Sequence, residues 1–257
     1  MVTDVVLLAH SIVSDEALSE FDKDCGGTSD SDHLAEWAGR ICYQSFDRPN
    51  PATESNADYL ANIIRQRHFS VLAHASFTFR FTDVSRTLTH ELIRHRFLAF
   101  SELSQRYVNM NESYTVVPPL FRGDVEAENA IRLNHDRALA AYDDLFVRAM
   151  VKLEDQGVTG TAARKQARQA ARYVIPGGCD TRIVVSGNVR AWRDFISQRN
   201  TLGADAEIRE VAQKVLAVLH EYAPNSVADL VDAADPGLRF NELFDNVPTE
   251  GQVLEDA

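Results

Sequence analysis

The sequence predicts an α+β fold, mostly helical with three or four strands and outside the Rossmann class. Three observations lead there. Period-two segments are few: Phe77, Phe79 and Phe81 alternate with Ser, Thr and Arg in ASFTFRFT, a strand with one buried face. Helix-forming segments are long, above all residues 124–156, rich in Ala, Asp, Glu, Arg and Leu. Strands and helices do not alternate as βαβ units, and neither GxGxxG nor GxxxxGK[ST] occurs.

Taken in order, residues 4–9 read as a strand and residues 14–32, rich in Ser, Asp and Gly, as a loop. Asp32 is placed to N-cap a helix through HLAEWAGRICYQS. DRPNPATES breaks it, and Thr53 or Ser55 caps NADYLANIIRQRH. After the ASFTFRFT strand, Asp83 or Ser85 starts a helix over RTLTHELIRHRF, followed by an irregular piece leading to SYTVVPP. ARKQARQAARYVIPGG is a helix stopped by Pro176-Gly177-Gly178. TRIVVSGN is a strand, VRAWRDFISQRN a helix with Ser186 or Asn188 near its N-cap, and residues 205–222 another helix. The expected organisation is one catalytic domain, residues 1–228, with an acidic tail, 229–257, at the surface.

The formal net charge of −12 is unevenly placed. Residues 14–32 carry net −6 and residues 229–257 net −7, whereas residues 164–199 carry net +6. Such asymmetry points to an anionic ligand. The acidic balance and tail argue against a nucleic-acid-binding module. Three cysteines, far apart and without CxxC, argue against a disulfide framework or a zinc site. With no signal peptide and no membrane-length apolar run, a cytoplasmic location is expected.

The densest cation cluster is LIRHRFLAFSELSQRYV, with Arg94, His95, Arg96 and Arg106 interleaved with Ser104 and Glu102. Arginine forks suit phosphates and carboxylates. Arg86, His90 and Arg94 are four apart and share one helix face. Three consecutive residues, Arg94 to Arg96, cannot share one face, so either the helix ends there or different faces meet different ligands. Spacing alone leaves a second reading open, solvated arginines paired with Glu91 and Glu102. Arg164 and Arg168 read as a solvent stripe, while Arg172, beside the Pro-Gly-Gly turn, is better placed for a ligand. No GxSxG elbow or HExxH pair occurs, and nothing marks Cys42 or Cys179 as an activated thiolate.

Arg94-His95-Arg96, seven residues, then Ser104 resembles the RHR-x7-S signature of flavin-dependent thymidylate synthases. HFSVLAHASFTF upstream, then RKQARQAARYVIP, TRIVVSGNVRAWRDFISQR and AEIRE, resemble that family's other blocks in the same order, over residues 35–222. The resemblance implies a thymidylate-synthase-complementing-protein-like fold, with a central, mostly antiparallel sheet flanked by long helices. It implies reductive methylation of dUMP to dTMP, using 5,10-methylenetetrahydrofolate, NADPH and bound FAD, with no cysteine nucleophile and no metal. It also implies a homotetramer with active sites built at subunit interfaces.

Carried onto this sequence, the resemblance implies flavin contacts from Ser70, Arg94, His95, Arg96, Glu102, Asn188, Val189, Arg190 and Asp194. It implies dUMP contacts from Glu91, Leu92, Ile93, Arg94, Glu102, Leu103, Ser104, Gln105, Arg106, Arg172 and Arg199. Ser104 and Arg106 would meet the phosphate. Arg199 would face the uracil ring, favour its N3-ionised form and stabilise developing enolate-like charge. Three positions depart from the family pattern: Ala73 where glutamate is common, Gly203 where a histidine and alanine usually follow the active arginine, and Asp194 where asparagine or histidine is common. A carboxylate at Asp194 would repel a flavin phosphate unless Arg190 or Arg193 neutralised it.

Overall fold

The computed structural model describes residues 3–20, 29–46 and 50–234. Four strands form one sheet in the order β1-β2-β4-β3: β1 (Asp4–His10), β2 (Ser76–Ser85), β3 (Ala99–Glu102) and β4 (Asp180–Asn188). Every pairing is antiparallel. Alternation in β2 does what the sequence predicts. Phe77, Phe79 and Phe81 are fully buried, and Trp192 packs edge-on against Phe79 with ring centroids 5.0 Å apart. A bulge between Phe81 and Val84 places Asp83 at φ 59°, a left-handed conformation uncommon for a residue with a side chain.

Helices α1 (Asp15–Glu20), α2 (Asp30–Tyr43), α3 (Asn56–Arg65) and α4 (Arg86–Leu92) precede the long hairpin of α5 (Val125–Asp155) and α6 (Gly160–Ala171). Then come α7 (Val189–Arg199), α8 (Ala206–Tyr222) and α9 (Pro224–Ala234). The main core lies between β2 and β4 and helices α3, α7, α8 and α9. A smaller one, with Met110, Tyr142, Ala171 and Cys179, sits under the α5–α6 hairpin. Along its 31 residues α5 buries only His135 and Tyr142, while Leu133, Val147 and Val151 stay exposed.

Several expectations change. Part of the expected loop is α1, whose acidic first turn, Asp15 and Glu16, suits a helix N-terminus. Ser29, not Asp32, caps α2. Asp32 is instead fully buried and caps α9 from across the fold, accepting from the Asn225 and Ser226 amides at 2.9 and 3.0 Å and from the Ser226 hydroxyl. Helix α4 is capped by Ser85 and ends at Leu92, short of the predicted Phe97. Tight turns follow, Arg94 N–H to Glu91 O and His95 N–H to Leu92 O, and they carry the His95 ring inward. Strand β3 falls in the piece expected to be irregular. Residue 229, where the tail is expected to begin, lies within α9, and Asp229 bonds Arg193 through both carboxylate oxygens at 2.6 and 2.8 Å. Residues 235–257 lie outside the described residues.

Candidate active site

Helix α4 and the turn after it meet the C-terminal end of α7. Arg199, the last residue of α7, donates from Nε to His95 Nε2 at 3.1 Å, from Nη1 to Glu91 Oε2 at 2.8 Å, and from Nη2 to the Glu91 carbonyl at 3.3 Å. Each guanidinium nitrogen thus commits one N–H to the protein. One N–H on each terminal nitrogen remains uncommitted to the protein.

Electrostatics follow from this packing. Burial first, then the Arg199 charge, push the His95 pKa down, against the pull of Asp194. The Glu91 carboxyl is held above the usual range by burial first and then by Asp205, with Arg199 opposing. Asp205 precedes α8 without capping it through its side chain. It belongs to the site, and no local pattern in the sequence announced it.

The RHR triplet splits in two. His95 is buried at 5% exposure, whereas Arg94 and Arg96 are exposed and make no ion pair among the described residues. The helix ends before the triplet, which answers the question raised by three consecutive cationic residues. The pairing of Glu91 and Glu102 with arginines is real, but the partners are Arg199 and Arg86.

Glu102 ends β3 and has one oxygen fixed. Its Oε1 takes Arg86 Nη1 at 3.1 Å, the Thr89 hydroxyl at 3.1 Å and the Thr181 hydroxyl at 3.2 Å. Both threonines were missed in the sequence, since they approach from α4 and β4. Arg86 and His90, one turn apart on α4, also line a cavity of about 390 Å³ with Gln105, Arg172, Tyr173 and Pro176. This gathers the expected dUMP contacts Gln105 and Arg172 beside two further basic side chains, while the expected phosphate residues Ser104 and Arg106 do not line it. Gln105 Nε2 and Arg106 Nε are buried without a partner, donors in search of an acceptor. Ser104 takes the Arg106 amide on its hydroxyl at 3.4 Å.

Arg168 is not a solvent stripe residue. Its Nη1 donates to the Tyr107 carbonyl at 2.7 Å, which fixes the loop after Arg106, while Arg164 is exposed as expected. Leu92 and Val189 have side chains in the core, so only their backbones can reach a ligand. Leu103 packs on the smaller core, and Ile93 is exposed.

Ser70 and Arg190 meet in a second cavity of about 350 Å³, with Arg67, His68 and Phe69. Asn188 caps α7 by accepting from the Ala191 amide at 2.9 Å, which sets Arg190 in the first turn. A hydroxyl, two guanidiniums and an imidazole around one cavity fit the phosphate portion of a dinucleotide cofactor. Among the described residues no three His, Cys, Asp or Glu side chains gather as metal ligands. Burial pushes the Cys179 thiol up to about 11, so it is not a poised thiolate.

The fold and this set of guanidiniums define a protein that holds phosphate-bearing ligands without a Rossmann or P-loop device. The chain belongs to the thymidylate synthase complementing protein family, whose model matches residues 26–225. It is 51% identical over 199 residues to a flavin-dependent thymidylate synthase of Mycobacterium sp. (strain JLS), covering 76% of this chain and 78% of that protein. To the protein of that name from Mycobacterium bovis (strain BCG / Pasteur 1173P2) it is 49% identical over 205 residues, covering 79% and 82%. In fold it matches a flavin-dependent thymidylate synthase of Helicobacter pylori complexed with FAD and dUMP, with a TM-score of 0.56 at 22% identity, over 85% of this chain and 96% of that one. Among the described residues no helix is long and apolar enough to cross a membrane.

Proposed function

We propose that this chain is a flavin-dependent thymidylate synthase that converts dUMP to dTMP, with FAD bound, 5,10-methylenetetrahydrofolate as carbon donor and NADPH as reductant. The observation that carries the reading is the guanidinium of Arg199, held in place by Glu91 and His95 with one N–H on each terminal nitrogen left to donate. Those N–H groups suit acceptors on an N3-ionised uracil ring, and the fixed charge stabilises the electron density that develops there. About half of the aligned residues are identical to proteins that carry this name.

In this reading Arg172, Gln105, Ser104 and Arg106 take the dUMP phosphate, and the unpartnered buried donors on Gln105 and Arg106 find their acceptor there. Glu91, Ile93, Arg94, Leu103 and the backbone at Leu92 line the nucleotide, and Glu102 presents its second oxygen beside it. FAD, when bound, supplies the hydride that reduces the transferred carbon. Its phosphates are met by Ser70 and Arg190, by the backbone of Asn188 and Val189, and by the exposed guanidiniums of Arg94 and Arg96. The uracil ring is activated by Arg199, so no thiol is required, in keeping with a thiol at Cys179 held up to about 11.

The cavity of Ser70 and the cavity of Arg172 share no lining residue. Ile93, Phe97, Val147, Val151 and Tyr173 leave large apolar side chains exposed. Both observations support a homotetramer whose active sites join residues of several copies. The catalytic unit in this reading is one domain, extended through α9, and the enzyme acts in the cytoplasm.

Visible absorption of the purified protein with FAD, then with dUMP, tests the reading together with dTMP formation on adding the folate and NADPH. A flavin spectrum perturbed by dUMP, followed by dTMP, is the expected result. No bound flavin with FAD in excess, or no dTMP, would reject it.

A further inference from the structure

Asp194 is a carboxylate at an expected flavin contact, and neither arginine offered as its neutraliser serves it. Arg193 is buried and committed to Asp229 and to the Ser226 carbonyl at 2.6 Å, with Phe69 5.5 Å from its guanidinium. Arg190 lines the Ser70 cavity. The partners of Asp194 lie elsewhere. Its Oδ1 accepts from Gln198 Nε2 at 2.9 Å, one helical turn on, which orients the carboxylate. Its Oδ2 lies 3.7 Å from His95 Nδ1.

His95 is held on three sides. Asp194 faces Nδ1, Phe195 stands edge-on to the ring at 5.2 Å and 82°, and Arg199 donates to Nε2. A guanidinium Nε–H can only donate, so Nε2 must be bare. A neutral imidazole has one N–H, so its proton sits on Nδ1, facing the Asp194 carboxylate. At 3.7 Å this contact is an attraction between charge and dipole rather than a formed hydrogen bond. It still favours the tautomer that Arg199 requires, because a carboxylate attracts an N–H at Nδ1 and repels the lone pair of a bare ring nitrogen there.

We propose that Asp194 is a positioning residue for Arg199, acting through His95: the carboxylate keeps the imidazole proton on Nδ1, so that Nε2 accepts from Arg199 and the guanidinium is fixed at three points. The proposal rests on the reading of Arg199 as the uracil-facing group. Without the His95 contact, the remaining two contacts both run to Glu91, about which the guanidinium can pivot. The carboxylate that would burden a flavin phosphate is turned toward the imidazole instead. At 47% side-chain exposure on a helix, position 194 accepts alanine or asparagine without a buried cavity.

The test starts from wild-type enzyme. If wild type forms no dTMP, the functional reading fails and the variants do not arise. With wild type active, Asp194→Ala and Asp194→Asn are compared by kcat, KM for dUMP and the FAD dissociation constant from flavin fluorescence. The expected result is a kcat about tenfold lower or more in Asp194→Ala, with FAD affinity within about twofold of wild type. Asp194→Asn, whose amide oxygen can still present the negative end of a dipole to Nδ1–H, retains part of the kcat that Asp194→Ala loses. Two results would overturn the proposal. One is Asp194→Ala binding FAD more tightly with kcat retained, which would make the carboxylate a flavin-facing repulsion. The other is an equal loss in both variants.

Discussion

His95 Nε2 accepts a hydrogen bond from Arg199 Nε at 3.1 Å, across 104 residues of sequence, so the buried imidazole is neutral when the site is assembled. Burial chiefly, and then the charge on Arg199, hold its pKa below the ordinary 6.5. A histidine whose folded pKa is depressed binds more protons unfolded than folded. Its contribution to stability is complete above about pH 6.5 and is lost as pH falls from there toward the folded value. Urea unfolding between pH 7.5 and 5 should show a falling midpoint, by at most about 1.4 kcal/mol per pH unit from this one group. His95→Gln should flatten that part of the curve. An unchanged slope in the variant would assign the acid sensitivity to other residues.

Arg168→Ala should raise the KM for dUMP about tenfold with a smaller change in kcat. It removes the donor that holds the Tyr107 carbonyl beside Ser104 and Arg106, and so loosens phosphate binding more than ring chemistry. Arg164→Ala, one turn earlier and exposed, should leave both constants within about twofold of wild type. Steady-state kinetics on the pair checks this. Equal effects would mean that both act through general charge.

Ala73→Glu combined with Gly203→His should lower the FAD dissociation constant. Each restores a side chain common in the family, and each added hydrogen bond contributes about 1 kcal/mol, or roughly fivefold. Position 203 has room, since a Cβ there meets nothing within 4 Å. Fluorescence titration measures the effect, and an unaltered constant in the double variant sinks the idea.

Asp32→Ala should destabilise the fold by about 3 kcal/mol. It strands the Asn225 and Ser226 amides and the Ser226 hydroxyl in the interior. Desolvation raises the Asp32 pKa, while those donors pull it down, so Asp32→Asn, which keeps an acceptor without the charge, should lose less. Chemical denaturation of the three proteins decides it, and equal losses would show that the charge itself is what matters.

Much of the fold was legible because local physics dictates it. The alternation of three phenylalanines in β2 and the caps at Ser55 and Asn188 depend on neighbours in sequence. Strand β3 was not legible, since four residues at a sheet edge leave no period to read. Asp32 was misassigned for a related reason: it looks like a cap and is one, but for a helix that begins 192 residues later than the residue itself. In the site, the cation cluster announced an anion. What it could not announce was which of its residues turns inward. His95 goes in and its arginine neighbours stay out because the chain turns after Leu92, a tertiary event. The clamp on Arg199 and the three donors on Glu102 come from separate elements, so no spacing encodes them.

The bond between Asp32 and Ser226 also sets an order of events. Helix α2 is made well before α9, yet its buried carboxylate has its donors only once residue 226 has been added. Until then, packing α2 into place would strand a charge in an apolar interior. On the ribosome α2 is therefore expected to pack stably only after α9 has emerged. Truncation within α9 reaches back to α2, and a chain stalled short of that point stays open there, exposed to chaperones and proteases.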